Sequence, residues 1–160
     1  MLALTAQLFV IYVGAGEAAT ISRFVFPLSY VLLAAFVVLN WRHVGLLIIG
    51  LGLSLNFLAI VANGGLMPAS PENLVAAGRT DEVAGLELGE PVPNSKNVLL
   101  AEDDTHLRFL TDRIEVADES PFPLLSVGDF FIFAGLLLTL VEILLSFLSH
   151  GASRDRPSLT

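Results

Sequence analysis

The chain has 160 residues, of which 54% are hydrophobic and only 15% charged, with a mean hydropathy of +0.76. Soluble domains carry about 25% charged residues, so this composition excludes an ordinary soluble enzyme. The formal charge of −8 excludes a nucleic-acid binder that works through a basic surface, and the absence of cysteine excludes disulfides, thiolate catalysis and cysteine-ligated metal centres.

A helix needs about 20 apolar residues to cross the ~30 Å hydrocarbon layer. The expected fold is an all-α membrane protein, a single membrane domain over 1–160. About four transmembrane helices are expected near 1–19, 22–40, 44–63 and 125–149, with a large, mostly irregular extracytoplasmic loop over 64–123. The first apolar stretch, Met1 to Gly16, is short, and spans only with tilt, local thinning or continuation into Glu17-Ala18-Ala19. Its small residues Gly14-Ala15-Gly16 also fit a signal peptide, but it has no basic leading region, which favours a membrane helix. Its abrupt apolar start leaves room for further sequence upstream. The second stretch ends at Asn40-Trp41-Arg42-His43, a link so short that the helices on either side must be antiparallel neighbours. Pro27 is placed near the start of that helix, where proline is tolerated, and Trp41 suits an interfacial anchor.

The third helix carries Gly45, Gly52, Asn56, Ala59 and Asn63 at spacings of 7, 4, 3 and 4, which fall on one stripe at ~100° per residue. It closes at Asn63-Gly64-Gly65, with Pro68 preventing resumption. The last helix repeats the rhythm with Gly128, Gly135, Thr139, Glu142 and Ser146. Membrane helices associate through small residues and a few interhelical hydrogen bonds. Both stripes are therefore expected to turn inward, against each other or against a partner protein. Asn56 reads as an interhelical hydrogen bond in preference to a ligand contact. Glu142 reads as half of an ion pair with Arg42, His43 or His150, in preference to a chemical group. Ser126-x-x-Asp129 reads as a capping-box arrangement at a helix start.

Between the third and last helices, 64–123 holds 12 acids and 4 bases, so the whole net charge resides there. Ser70-Pro71-Glu72 opens a short helix ending near Gly78, with Leu74 and Val75 able to rest on the membrane surface. Thr80 to Lys96 reads as irregular. Val98-Leu99-Leu100 and His106 to Leu110 are candidate short strands or an irregular cap. Glu102-Asp103-Asp104-Thr105-His106 offers ligands of the kind a divalent cation takes, but a solvated charge cluster is the simpler reading. Arg42, Arg154 and Arg156 outvote Arg23, which puts both termini in the cytoplasm and the acidic loop outside.

Three motifs in order are Leu55-Asn56-Phe57 through Asn63-Gly64-Gly65-x-Met67-Pro68, then Thr105-His106-Leu107-x-Phe109-Leu110-x-Asp112-x-Ile114, then Ser126-x-Gly128-Asp129. Over roughly 25–147 the chain resembles a family of small bacterial integral membrane proteins of uncharacterised function. The resemblance implies a multi-pass protein of the bacterial inner membrane and supplies no reaction. No hydrolase, zinc-protease or nucleotide-binding motif occurs, and no cofactor or metal is expected. The functional expectation is an accessory or scaffold subunit of a larger membrane complex, partnered by lipid and by other membrane subunits and without catalysis of its own. The alternative is a small-molecule, lipid or ion-handling membrane protein that uses its intramembrane polar residues.

Overall fold

The computed structural model describes residues 2–13, 19–115 and 124–154. It is mostly helical. The apolar runs form α1 (Leu2–Val13), α2 (Ala19–Leu39), α3 (Val44–Ala62) and α6 (Val127–Arg154). Among the described residues, three helices are long and apolar enough to cross a membrane, over Thr20–Leu39, Val44–Ala62 and Val127–Ser149. Helix α1 has 12 residues, about 18 Å at 1.5 Å per residue. The expected continuation of its span toward 19 lies largely outside the described residues.

Neighbour contacts run from α1 to α2, from α2 to α3 and from α3 to α6, the last being by far the most extensive. The small-residue stripes explain why. A Cβ on Gly52 would lie 2.9 Å from the Ile132 backbone nitrogen, and one on Gly128 would lie 2.6 Å from the Gly52 carbonyl oxygen. One on Gly45 would lie 2.6 Å from the Thr139 nitrogen, and one on Gly135 2.6 Å from the Gly45 oxygen. The pairs Gly45–Gly135 and Gly52–Gly128 run in opposite directions, so α3 and α6 are antiparallel with their backbones in direct contact.

Helix α2 begins three residues before the sequence places it, which corrects the reading of Pro27. The proline lies inside the helix and leaves the carbonyl of Arg23, four residues back, without its helical donor. That carbonyl is where Gly65 packs, so closely that any Cβ would collide with it. Gly64, at φ +82°, ends α3, and the Gly65 N–H bonds back to the Ile60 carbonyl at 2.8 Å. This is a Schellman closure, in which glycine takes the left-handed position.

Between 63 and 126 the described residues carry short elements joined by irregular backbone. They form a cap containing β1 (Met67–Ala69), α4 (Pro71–Ala76), α5 (Thr80–Val83), β2 (Asn97–Leu99), a 3₁₀ turn at Arg108–Leu110, β3 (Ile114–Glu115) and β4 (Leu124–Leu125). Strands β1 and β2 pair in parallel with Pro68 opposite Val98; β3 and β4 pair antiparallel with Ile114 opposite Leu125. Ser70 caps α4 by accepting the Asn73 N–H at 3.2 Å. Leu74 does not rest on a membrane surface. It is fully buried in the cap's own core with Ala69, Val92, Leu99 and Leu124, because α4 folds back over the strands. A second core joins cap to helices, with Leu66, Met67, Val98 and Leu110 packed on Ala59, Ile60 and Phe26.

The α3–α6 contact generates a prediction. Gly52→Val and Gly128→Ala place carbon where backbone stands. Overpacking costs about 1–3 kcal/mol in a core that can adjust, and more where the obstacle is a carbonyl. Both variants are expected to lower stability in a detergent-unfolding titration by at least about 2 kcal/mol, while Leu51→Ala, at an exposed neighbour, leaves it unchanged. Equal stability of all three would remove the close-contact account.

Candidate functional site

Several polar side chains of the spans and the cap converge at one junction, where the C-terminal half of α3 and the start of α6 meet the cap. Asn56, fully buried on α3, donates through Nδ2 to Asp129 Oδ1 at 2.9 Å and accepts at Oδ1 from the Ser126 hydroxyl at 2.8 Å. Ser126 precedes α6; its N–H donates to Asp129 Oδ2 at 2.9 Å, and its one hydroxyl proton is shared between Asn56 Oδ1 and Asp129 Oδ2, the latter also at 2.8 Å. The Asp129 N–H in turn reaches Ser126 Oγ at 3.2 Å. The carboxylate thus closes a reciprocal cap at the positive end of the helix. Gly128 makes room for this, since a side chain there would overlap the Asn56 amide.

The cap contributes the charges. The parallel β1–β2 pair sets Lys96 and Asn97 beside the top of α3, where the Met67 N–H bonds the Lys96 carbonyl at 3.1 Å. The β3–β4 pair ties the strand after Asp112 to the strand before Ser126, which brings Asp112 and Asp129 together. The Lys96 ammonium lies 3.2 Å from Asp112 and 3.5 Å from Asp129. Asp112, buried to 1% exposure, also accepts from Asn97 Nδ2 at 3.0 Å. Tyr30 of α2 closes the group. Its ring packs edge-on against Phe26 with centroids 5.5 Å apart, and its hydroxyl stands against Asn56, within electrostatic reach of Lys96.

Burial by itself pushes the Lys96 ammonium down. The Asp112 and Asp129 carboxylates override this and hold it above its ordinary value, so it is charged at neutral pH. Burial pushes the Asp112 carboxyl up, opposed by Lys96 and the Asn97 amide. One ammonium shared by two carboxylates, one from the cap and one from a helix, is a latch: it fixes the cap to the helices. Its three charged groups face one another.

Asn63 sits apart from this junction. Its Nδ2 donates to the Ala59 and His106 carbonyls at 2.7 and 2.8 Å, and its Oδ1 accepts the His106 N–H at 2.8 Å. Asn56 and Asn63 are therefore satisfied inside the chain, and neither needs a neighbouring chain to shield it from lipid. Gly64, Gly65 and Pro68 belong to the closure of α3 and to β1. Thr139 and Glu142 lie toward the other end of α6; 13 residues, about 20 Å, separate Glu142 from Asp129. There Glu142 Oε1 accepts the Gly45 N–H at 3.3 Å, a carboxylate at the start of α3, and His43 Nδ1 lies 3.7 Å from Oε2. Glu142 Oε2 is shielded and has no hydrogen-bond partner among the described residues.

Lys96, Asn97 and Tyr30 carry no signal in the sequence that marks them as members of a site, and Asp112 appears only within a motif. Among the described residues no group of three or more histidine and acidic side chains is arranged to hold a metal ion. At Glu102–His106, Glu102 pairs with Arg108, and Asp103 and Asp104 are exposed. Two hollows flank the junction. A cleft on the cap, with room for about one water (about 10 Å³), lies among Ser70, Asn73, Glu102, Arg108 and Arg113. An apolar groove of about 270 Å³ lies between α2 and α3, lined by Tyr30, Val31, Ala34, Leu53, Ser54, Phe57 and Leu58.

The latch predicts a pH-dependent defect. Breaking a buried pair by removing one partner costs about 3–5 kcal/mol, and Lys96→Met strands the Asp112 carboxylate. With its main opponent gone, that carboxyl rises further and takes up a proton in the folded state. Stability then falls as pH rises through the folded value. Lys96→Met is expected to be about 3 kcal/mol less stable than the parent at pH 8 and closer to it at pH 5, and adding Asp112→Asn should remove the difference between the two. A loss under about 1 kcal/mol at both pH values would contradict the latch.

The chain matches the sequence model of the family of unknown function DUF5317 over residues 1–141. No curated protein and no solved structure matches the chain.

Proposed function

The chain belongs to this family of unknown function, and from its geometry we propose that it is an accessory or scaffold subunit of a larger membrane complex, with no catalysis of its own. The observation that carries the reading is the seating of α6. Of its most apolar window only 6% is buried, against 33% for α3, because α6 is held by a single stripe. Phe130, Phe133, Leu137, Leu140, Leu144 and Phe147 leave the rest of its circumference open along the length of the span. The buried polar groups hold the cap in place, which fits a rigid part of an assembly. A second reading, lipid or small-molecule handling, rests on the groove between α2 and α3.

The reading extends to placement. The protein lies in the bacterial plasma membrane, the first apolar segment supplies a fourth span, both termini are cytoplasmic, and the cap is extracytoplasmic. The arginine asymmetry supports this orientation. A cysteine in place of the exposed Asp103 is then expected to react with an impermeant thiol reagent in intact cells lacking an outer-membrane barrier, and labelling only after lysis would reverse the orientation.

The subunit reading is tested by placing a photo-crosslinking residue at Leu137 and at Leu144 in native membranes, with native mass spectrometry after gentle extraction. Cross-links from both positions to the same other membrane protein, present in stoichiometric amount, are expected. A monomer carrying a bound small molecule would move the groove reading to first place.

A further inference from the structure

Among the large apolar side chains that the described residues of the cap expose are Leu88 at 56%, Leu107 at 39% and Phe109 at 62%, all close to the ends of the spanning helices. None lies on a spanning helix, and each is carried by backbone that a helix terminus grips. Asn63, the residue that closes α3, holds both backbone groups of His106 at 2.8 Å. The next residue, Leu107, takes the left-handed conformation at φ +53°, which an unbranched-at-Cβ but bulky side chain rarely adopts and which often marks a functional position. It turns the chain into the 3₁₀ turn that packs against α3 and α6 and carries Phe109 outward. On the other flank, Arg23 in the first turns of α2 donates to the Gly89 carbonyl at 2.6 Å, beside Leu88.

Their height can be estimated. Helix α3 has 19 residues, about 28 Å long, and so nearly matches the ~30 Å hydrocarbon layer. Asn63 therefore stands at its boundary. The headgroup zone adds about 5–7 Å on each side. His106 is one hydrogen bond from Asn63, and a 3₁₀ turn rises only about 2 Å per residue, so Leu107 and Phe109 fall within that zone. Gly89, bonded to the first turns of α2, lies at the same level.

We infer that the cap is seated on the lipid as well as on the helices, with Leu88, Leu107 and Phe109 inserted at the headgroup–acyl boundary of the leaflet on the cap side. These side chains continue the apolar belt of α2, α3 and α6 outward past the helix ends. The acidic run Glu102-Asp103-Asp104 stays in water, and Arg108, paired with Glu102, stands between the two. The inference needs only a membrane around the three spans and does not depend on the subunit reading.

Trp41 is the single tryptophan, so Trp41→Phe gives a background in which Phe109→Trp or Leu88→Trp reports alone. The full chain is reconstituted into phosphatidylcholine vesicles, with and without lipid brominated near the glycerol end of its acyl chains. At both positions the expected result is blue-shifted emission, quenched at least twofold by the brominated lipid and little affected by aqueous iodide. Both substitutions fall on exposed side chains, and an unchanged unfolding midpoint verifies the fold. Iodide quenching without an effect of bromine, at position 109 or at 88, would overturn the inference. So would photo-cross-links from 109 in native membranes that reach protein and no lipid, because the exposed side chains would then face a partner chain.

Discussion

The contact of the α3 and α6 backbones is the constraint from which the rest of the structure follows. Glycine at 45, 52, 128 and 135 lets two helices approach to the limit set by their main chains, and only at that separation does the short Asn56 side chain reach both Ser126 and Asp129. The asparagine orients the carboxylate, the carboxylate shares Lys96 with Asp112, and the lysine commits the cap to its place. Widening the helix pair by one methyl group would uncouple every later step. Apolar attraction between helices is weak inside lipid, where tails are as apolar as leucine, so close contact and polar bonds carry the specificity that a soluble core gets from burial.

Legibility followed periodicity. The 7-4-3-4 rhythm of Gly45, Gly52, Asn56, Ala59 and Asn63, and its counterpart on α6, is visible because a helix repeats its faces every 3.6 residues. Ser126 and Asp129 are visible because a cap is a local event three residues long. Tyr30, Lys96 and Asp112 come from a helix and two separate loop segments, brought together by strands of two or three residues that leave no period to detect. The parallel pairing of Met67–Ala69 with Asn97–Leu99 bridges 30 positions, and nothing in either triplet names the other. Pro27 shows the opposite error. The rule that proline belongs at a helix start was applied to a helix that begins earlier, and the free carbonyl it creates serves the packing of Gly65.

The charge of the cap divides into two populations. Of its 12 acids, Asp112 is buried and bonded, whereas Glu72, Asp81, Glu87, Asp103 and Asp104 are exposed. The exposed ones keep the outer surface hydrated beside an apolar rim. The buried one, with Asp129, needs Lys96, the single lysine of the chain. An ammonium on a flexible stem can sit between carboxylates from two different elements without imposing the planar geometry of a guanidinium.

The latch joins the cap to the last helix, and this has a consequence for biogenesis. Asn56 enters the membrane with α3, but its partners Ser126 and Asp129 arrive only with α6, after about 64 further residues. At ordinary synthesis rates of about 5–20 residues per second, the wait is roughly 3–13 s. During that interval the cap is itself being made, the asparagine amide has no α6 to bond, and Lys96, once made, has no Asp129 to anchor it. The nascent chain is therefore held together first by α2 against α3 and by the glycine closure at 64–65. The final helix acts as a bolt that slides home last, so truncation or delayed insertion of α6 leaves an unlocked cap and a polar group open to lipid, the kind of lesion that membrane quality-control proteases recognise.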